Sequence, residues 1–165
     1  MQEILVDING YNQFFQELDR LQEISRQNSA LGSEVYQAAV GDGWHDNFAF
    51  EESMRESRMI AKRIEDFFEK KKKLKIIDDK TKENDLINIG DIALVKFNYS
   101  KFEEEIEKIK LTGNYILNTT SDINEISLNS PLGKSLYKSK VGSTITYCVD
   151  GKEFSVMILS KIDIL

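Results

Sequence analysis

Cysteine, proline, histidine and tryptophan each occur once among 165 residues, at Cys148, Pro131, His45 and Trp44. A lone cysteine excludes an intramolecular disulfide, and beside a lone histidine it also excludes a four-ligand Cys/His zinc site. Such usage suits a reducing cytoplasm, which is the expected location. No run of ~18 apolar residues occurs, and Met1 to Asn9 lacks a basic stretch followed by a long apolar one, so neither a membrane span nor a signal peptide is expected. Positive charge is also short: 22 Lys and Arg against 28 Asp and Glu leave a formal net charge of −6. That balance disfavours independent, sequence-specific binding to duplex DNA, because affinity for phosphates needs a basic surface. What the chain does have is 41% hydrophobic residues, enough for one or two compact domains with a modest core.

From Tyr11 to Leu74 there is no proline, and Glu, Gln, Arg, Lys and Leu dominate, as an exposed helix requires. Phe14, Leu18, Leu21, Ile24, Leu31, Val35 and Ala38 recur at steps of three and four or their sums, which places them on one helical face. A second series runs Phe50, Met54, Ala61, Ile64, Phe67 and Leu74. Folding back near Gly41 to Gly43 pairs the two, Leu18 with Phe67, Leu21 with Ile64, Ile24 with Ala61, Leu31 with Met54 and Val35 with Phe50. An antiparallel coiled-coil hairpin would bury both series at once. At ~1.5 Å rise per residue, arms of about thirty residues reach roughly 45 Å. Asn28 opposite Ser57 is a polar layer of the kind that fixes register. Periodicity alone is equally compatible with an adaptor or oligomerisation hairpin.

From Lys75 the pattern changes. Runs rich in Ile, Val, Tyr and Phe at Ile92 to Tyr99, Ile106 to Leu111, Thr144 to Val149 and Phe154 to Ile162 predict strands, separated by turn signals at Gly90-Asp91, Gly113-Asn114 and Asp150-Gly151. The last turn predicts a two-residue hairpin. Ser130 and Pro131 predict the cap and first position of one short helix. The fold class is therefore α+β: a coiled-coil hairpin over residues 1–76, with its tip at 41–47, then a small, mostly antiparallel β domain over 77–165.

The segment Ile126-Ser-Leu-Asn-Ser-Pro-Leu-Gly-Lys-Ser-Leu-Tyr137, followed by Val141-Gly-Ser143 and the terminal hairpin, resembles the ISxxSPLxxxLxxxxxGD segment of the GreA/GreB transcript-cleavage family. Gly41-Asp42 with Asp46-Asn47 resembles that family's GDxxEN coiled-coil tip, and Leu74-Lys-Ile-Ile-Asp78 resembles its interdomain junction. The resemblance spans nearly the whole chain. It implies an FKBP-like second domain that docks on RNA polymerase, and a tip inserted through the polymerase secondary channel toward the nascent RNA 3′ end. It also implies an accessory factor, not an enzyme by itself, that acts as a monomer with no stably bound cofactor, only Mg²⁺ shared with the polymerase. The tip departs from the family pattern: three residues, Gly43, Trp44 and His45, stand where the family holds two, aspartate replaces glutamate, and Phe48-Ala-Phe50 replaces a small residue, a glutamate and a tyrosine.

The tip chemistry can be argued from residue types. Asp42 and Asp46 are close enough in sequence to converge on one cation, and Mg²⁺ is commonly held by one or two carboxylates plus waters and substrate phosphates. Asp42 is assigned as a ligand to a second Mg²⁺ or its waters, and Asp46 as a second ligand or water-positioning group. Equally, Asp42 could serve as a turn or capping residue. Trp44 either folds back on Val40 and Phe48 or meets a polymerase surface, and His45 is a candidate contact to RNA phosphate or to a polymerase side chain. Arg55, Arg58 and Lys62 share a stripe of the second helix, with Arg26 a candidate neighbour, resembling the family's RNA-binding patch. The alternative is a solvated face interleaved with Glu51, Glu52 and Glu56. The expected function is stimulation of polymerase-catalysed cleavage of backtracked RNA. Its rivals are a Gre-like regulator that inhibits or tunes the polymerase, and a non-catalytic interaction module.

Overall fold

The structure, a computed structural model, describes residues 3–39, 48–78, 85–100, 103–117 and 123–162, with the side chains of 31–39, 48–50, 99–100 and 103–104 excepted. Two compact units result: Phe14–Lys73 forms one, and Gln2–Gln13 with Leu74–Leu165 forms the other. The expected division after residue 76 thus differs at both ends, since the first residues and Leu74–Ile76 belong with the sheet unit. The reason is strand pairing. Ile4–Val6 (β1) lies parallel to Leu74–Ile76 (β2), with Leu5 opposite Lys75. The Asn129 carboxamide closes the outer edge of β1, accepting from the Leu5 N–H at 2.8 Å and donating to the Leu5 carbonyl at 2.7 Å.

The helical unit comes from Ile8–Ala39 (α1) and Phe48–Lys71 (α2). Asp7 starts α1 as a cap, its Oδ1 accepting from the Gly10 N–H at 2.7 Å. Glu51 in the first turn of α2 and Lys70 and Lys71 in the last complement the helix dipole. The two helices run antiparallel. On α1 the seam buries Phe14, Leu18 and Leu21, then passes through half-buried Ile24, Ser25 and Asn28. On α2 the half-buried positions Ser53, Ser57, Ile60, Ile64 and Phe67 repeat at steps of four and three.

This corrects the expected seam in two ways. Met54, 41% exposed, and Ala61 lie off it, and Ile60 is on it. The Phe67 ring meets Phe14 at 4.9 Å between centroids, about one turn from the Leu18 partner that the spacing suggested. Steps of three and four define a face only to within a neighbouring stripe, and the aromatic contact selects between them. The lysine run beyond is structural: Lys70 Nζ lies 5.7 Å from the Phe67 ring, Lys71 Nζ 5.2 Å from the Phe15 ring, and Lys72 pairs with Glu69 at 2.6 Å.

The sheet unit contains Ile92–Ser100 (β3), Glu103–Thr112 (β4), Asn124–Ser127 (β5), the helix Pro131–Leu136 (α3), Thr144–Val149 (β6) and Lys152–Ile162 (β7). The strand order is β5-β4-β3-β7-β6, antiparallel throughout except that β5 joins β4 in parallel. The α+β class, a helical hairpin followed by a sheet with one short helix, is what the chain adopts. Alternate residues of the central strands, Val95 and Phe97, Ile109 and Leu111, and Val156 and Ile158, bury one face against Leu128, Leu132 and Leu136. Ser130 caps α3, its Oγ accepting from the Gly133 N–H at 3.0 Å, with Pro131 in the first position. Asp150 at φ 51° and Gly151 at φ 77° make the mirror-type turn of the β6–β7 hairpin.

Candidate functional site

Asp42, Asp46, Trp44 and His45 lie outside the described residues, as does the rest of the tip from 40 to 47. The helices on either side of them are described: α1 ends at Ala39 and α2 begins at Phe48. Among the described residues no group of three or more His, Cys, Asp and Glu could hold a metal ion. No helix among them is long and apolar enough to cross a membrane.

The basic stripe is on α2 as its spacing requires. Arg55, Arg58 and Lys62 are all exposed there. Arg55, however, is engaged by its own helix: its Nη2 donates to Glu52 Oε1 at 2.7 Å, and that hydrogen bond raises the guanidinium pKa further. Arg26, the candidate neighbour of the stripe, pairs with Glu23 at 2.9 Å one turn away on α1. On the same helix Arg20 forks onto Glu17 with two bonds of 2.7 Å, and the hydrogen bond it donates holds the Glu17 carboxyl below its usual range. Ion pairs of this kind at steps of three along an exposed helix are individually weak. Their effect on the stripe is directional: Arg58 and Lys62 present their charge to solvent, whereas Arg55 presents a neutralised pair.

The residues that the sequence reading missed lie in the sheet unit and hold its loops. Asn88 is fully buried, and its N–H and carboxamide donate to Asp91 Oδ2 at 2.8 and 3.2 Å. Lys161 reaches the same oxygen at 2.7 Å, and Lys138 Nζ donates to Asn88 Oδ1 at 2.8 Å. Lys138 sits at φ 60°, where its N–H reaches the Ile87 carbonyl at 2.8 Å. This polar cluster fastens the segment before β3 to the end of α3 and to β7. Only Gly90-Asp91 was visible beforehand, as a turn signal; pairings 50 or more positions apart leave no local trace.

A long antiparallel helix pair, carrying cations along one arm and followed by a small mixed sheet, defines a hairpin-bearing α+β protein. No family model matches the chain. It is 29% identical over 164 residues to the transcription elongation factor GreA of Acetivibrio thermocellus, spanning 96% of this chain and 97% of that one. It is also 29% identical over 134 residues to GreA of Ureaplasma parvum, spanning 81% and 83%. Among solved structures, GreA factor homolog 1 of Thermus thermophilus is similar over 98% of this chain and 100% of its own, at 19% identity and a TM-score of 0.44. Along nearly its whole length the chain is thus similar to transcription elongation factors of the GreA type.

Proposed function

We propose that this chain binds RNA polymerase, passes its helical hairpin through the secondary channel and stimulates the polymerase's own Mg²⁺-dependent cleavage of backtracked RNA. The observation that carries the reading is the pair of antiparallel helices, 32 and 24 residues long, that leaves Asp42 and Asp46 in the short connection between Ala39 and Phe48. At ~1.5 Å per residue the shorter arm alone extends about 36 Å, a reach suited to delivering its end into another molecule.

The donor set suits a borrowed metal. Asp42 and Asp46 are hard oxygen donors of the kind Mg²⁺ takes, but two carboxylates alone hold it weakly, so the site is complete only beside the polymerase's own ligands and a substrate phosphate. A second ion held there supplies water activation and charge stabilisation at the leaving oxygen. This chain's contribution is to carry the two carboxylates to that place and to orient water with the one that does not bind the metal directly. Arg58 and Lys62, with Arg55 to a lesser degree, attract the phosphates of the extruded RNA 3′ end. Trp44 stiffens the tip or meets the polymerase wall, and His45 contacts phosphate or protein; a lone histidine without a positioned partner is a poor general base. The sheet unit serves as the polymerase-docking domain, with the segment from Ser130 to Lys140 its candidate surface. On this reading the chain is a cytoplasmic monomer and an accessory factor, with catalysis belonging to the polymerase.

The test is a backtracked elongation complex incubated with the protein. Mg²⁺-dependent release of short 3′ RNA fragments is expected, falling at least ~100-fold in Asp42→Ala and less in Asp46→Ala, as loss of metal-site groups does. A second reading draws on the extra tip residue and on aspartate in place of glutamate: a secondary-channel regulator that inhibits or tunes the polymerase. Binding with suppressed synthesis and no cleavage selects it. Failure to bind polymerase at all leaves the hairpin as an interaction module and overturns both.

A further inference from the structure

α2 carries a second apolar line beside the stripe that it turns toward α1. Met54, Ala61 and Phe68 recur at steps of seven, and all three are exposed, Met54 by 41% and Phe68 by 42%. Steps of seven drift only slightly around a helix, so the three residues form one line of the kind a further helix packs along. The charges beside the line point to the partner. Glu51, Arg58, Glu65 and Lys72 flank it at the same steps of seven, all exposed, with Lys72 just past the end of α2. Their signs run acid, base, acid, base, so the series read backward opposes the series read forward. Laid antiparallel on a second copy about a two-fold axis at Ala61, Met54 meets the partner's Phe68, since each lies seven residues from the axis. Arg58, three residues before the axis, meets the partner's Glu65, four after it, and Glu51, ten before, meets the partner's Lys72, eleven after. Each of the four charges thus faces its opposite, and the symmetry repeats every contact. A parallel pair in register would set each charge against its like, which disfavours that arrangement. The small side chain of Ala61 at the axis lets the two helices approach closely. Lys72 pairs with Glu69 at 2.6 Å on its own chain, but both are exposed, and a pair of that kind costs little to exchange.

We infer that this line on α2 is a self-association surface: two copies of the chain pair antiparallel through Met54, Ala61 and Phe68, in a register set by Glu51, Arg58, Glu65 and Lys72. Few large apolar side chains and only exposed ion pairs take part, so the pair is weak and reversible. Where the proposed cleavage role holds, and on that reading only, the pair is a resting form. It occupies Arg58, one of the cations offered to RNA, and the monomer is the form that engages polymerase.

Sedimentation equilibrium of the full chain tests the pairing without reference to function. A monomer–dimer equilibrium is expected within ~1–500 µM chain at low salt, weakening at ~1 M salt, where exposed charges are screened. Arg58→Glu alone and Glu65→Arg alone each set like charges together at both symmetric contacts, and each is expected to raise the dissociation constant at least ~10-fold. Combined in one chain, the two reversals restore opposite signs and are expected to pair as the parent does. Mixed together, the two single variants are expected to pair with each other although neither pairs with itself, because the complement then lies across two chains. Met54→Ser with Phe68→Ser is expected to abolish pairing. All four positions are exposed, so these changes leave the fold intact. A chain that stays monomeric throughout, reversals without effect, or single variants that fail to rescue each other would each overturn the proposal. The resting-form role has its own test: a backtracked elongation complex added to the paired chain is expected to take up one copy and dissolve the pair. Uptake of the intact pair overturns that role. No binding to the complex at all sinks the functional reading and leaves the sedimentation result standing, so the two fail separately.

Discussion

At the scale of single residues, the most consequential group is Asp91, which the sequence offered only as part of a turn. Its carboxylate is 8% exposed and takes charge from Lys161 and dipoles from Asn88. Removing one member of a buried ion pair leaves the other desolvated and unpaired, which costs more than the pair contributes over an apolar replacement. Asp91→Ala is therefore expected to lower unfolding stability by ~3–5 kcal/mol in a urea titration, and Asp91→Ala combined with Lys161→Met to recover most of that loss. A double variant no better than the single would show that Asp91 acts through the Asn88 loop and not through Lys161. The tip residues belong to this scale too. Their chemical types were legible in the sequence because carboxylates in a short connection between two periodic helices are a local pattern, whereas the pairing of Arg55 with Glu52 and Arg26 with Glu23 depended on rotamers that spacing does not fix.

Among the elements, close backbone approach decides how α1 begins. A Cβ added to Gly10 would lie 2.0 Å from the Gly113 carbonyl oxygen, and Asp7 N–H donates to that same oxygen at 3.3 Å. Gln13 Oε1 continues the contact, accepting from the N–H groups of Tyr115 and Ile116 at 3.1 and 3.2 Å. Gly10→Ala is expected to destabilise by about 3 kcal/mol, the upper range of overpacking, because backbone cannot yield as a side chain can. Gly90→Ala provides the comparison: at φ 90° with nothing near the new methyl, it should cost only ~1–2 kcal/mol of conformational strain. Urea midpoints for the two variants check the order, and a Gly10→Ala chain as stable as the parent would mean that the α1 start is not pinned to the loop. Elements with chemical punctuation were predicted well. Ser130-Pro131 announced α3, and Asp150-Gly151 announced the β6–β7 turn. Strands β1, β2 and β5, three or four residues long, carry too few alternations to stand out, and two of them exist only because they pair with each other.

For the whole molecule, charge and modular construction matter most. A formal charge of −6 implies weak affinity for free nucleic acid. An electrophoretic mobility assay should show no shift of a random duplex at micromolar protein and ~0.15 M salt, where surface charges are screened beyond about 8 Å. Measurable duplex binding under those conditions would argue that the protein reaches nucleic acid directly and needs no polymerase to do so. The chain divides into two compact units, Phe14–Lys73 and Gln2–Gln13 with Leu74–Leu165.

What the sequence determined by itself was the periodic and the punctuated: two amphipathic helices, four of the strands, the capped short helix and the acidic connection, all properties of neighbours within a few turns. Tertiary structure alone decided the seam register, where the Phe14–Phe67 contact shifted the pairing by about one turn, and the polar cluster around Asp91. It also decided that the opening residues belong with the sheet. Those outcomes depend on which distant groups meet, and the free energy of such meetings is set by shape and desolvation in the packed state, which no local pattern encodes.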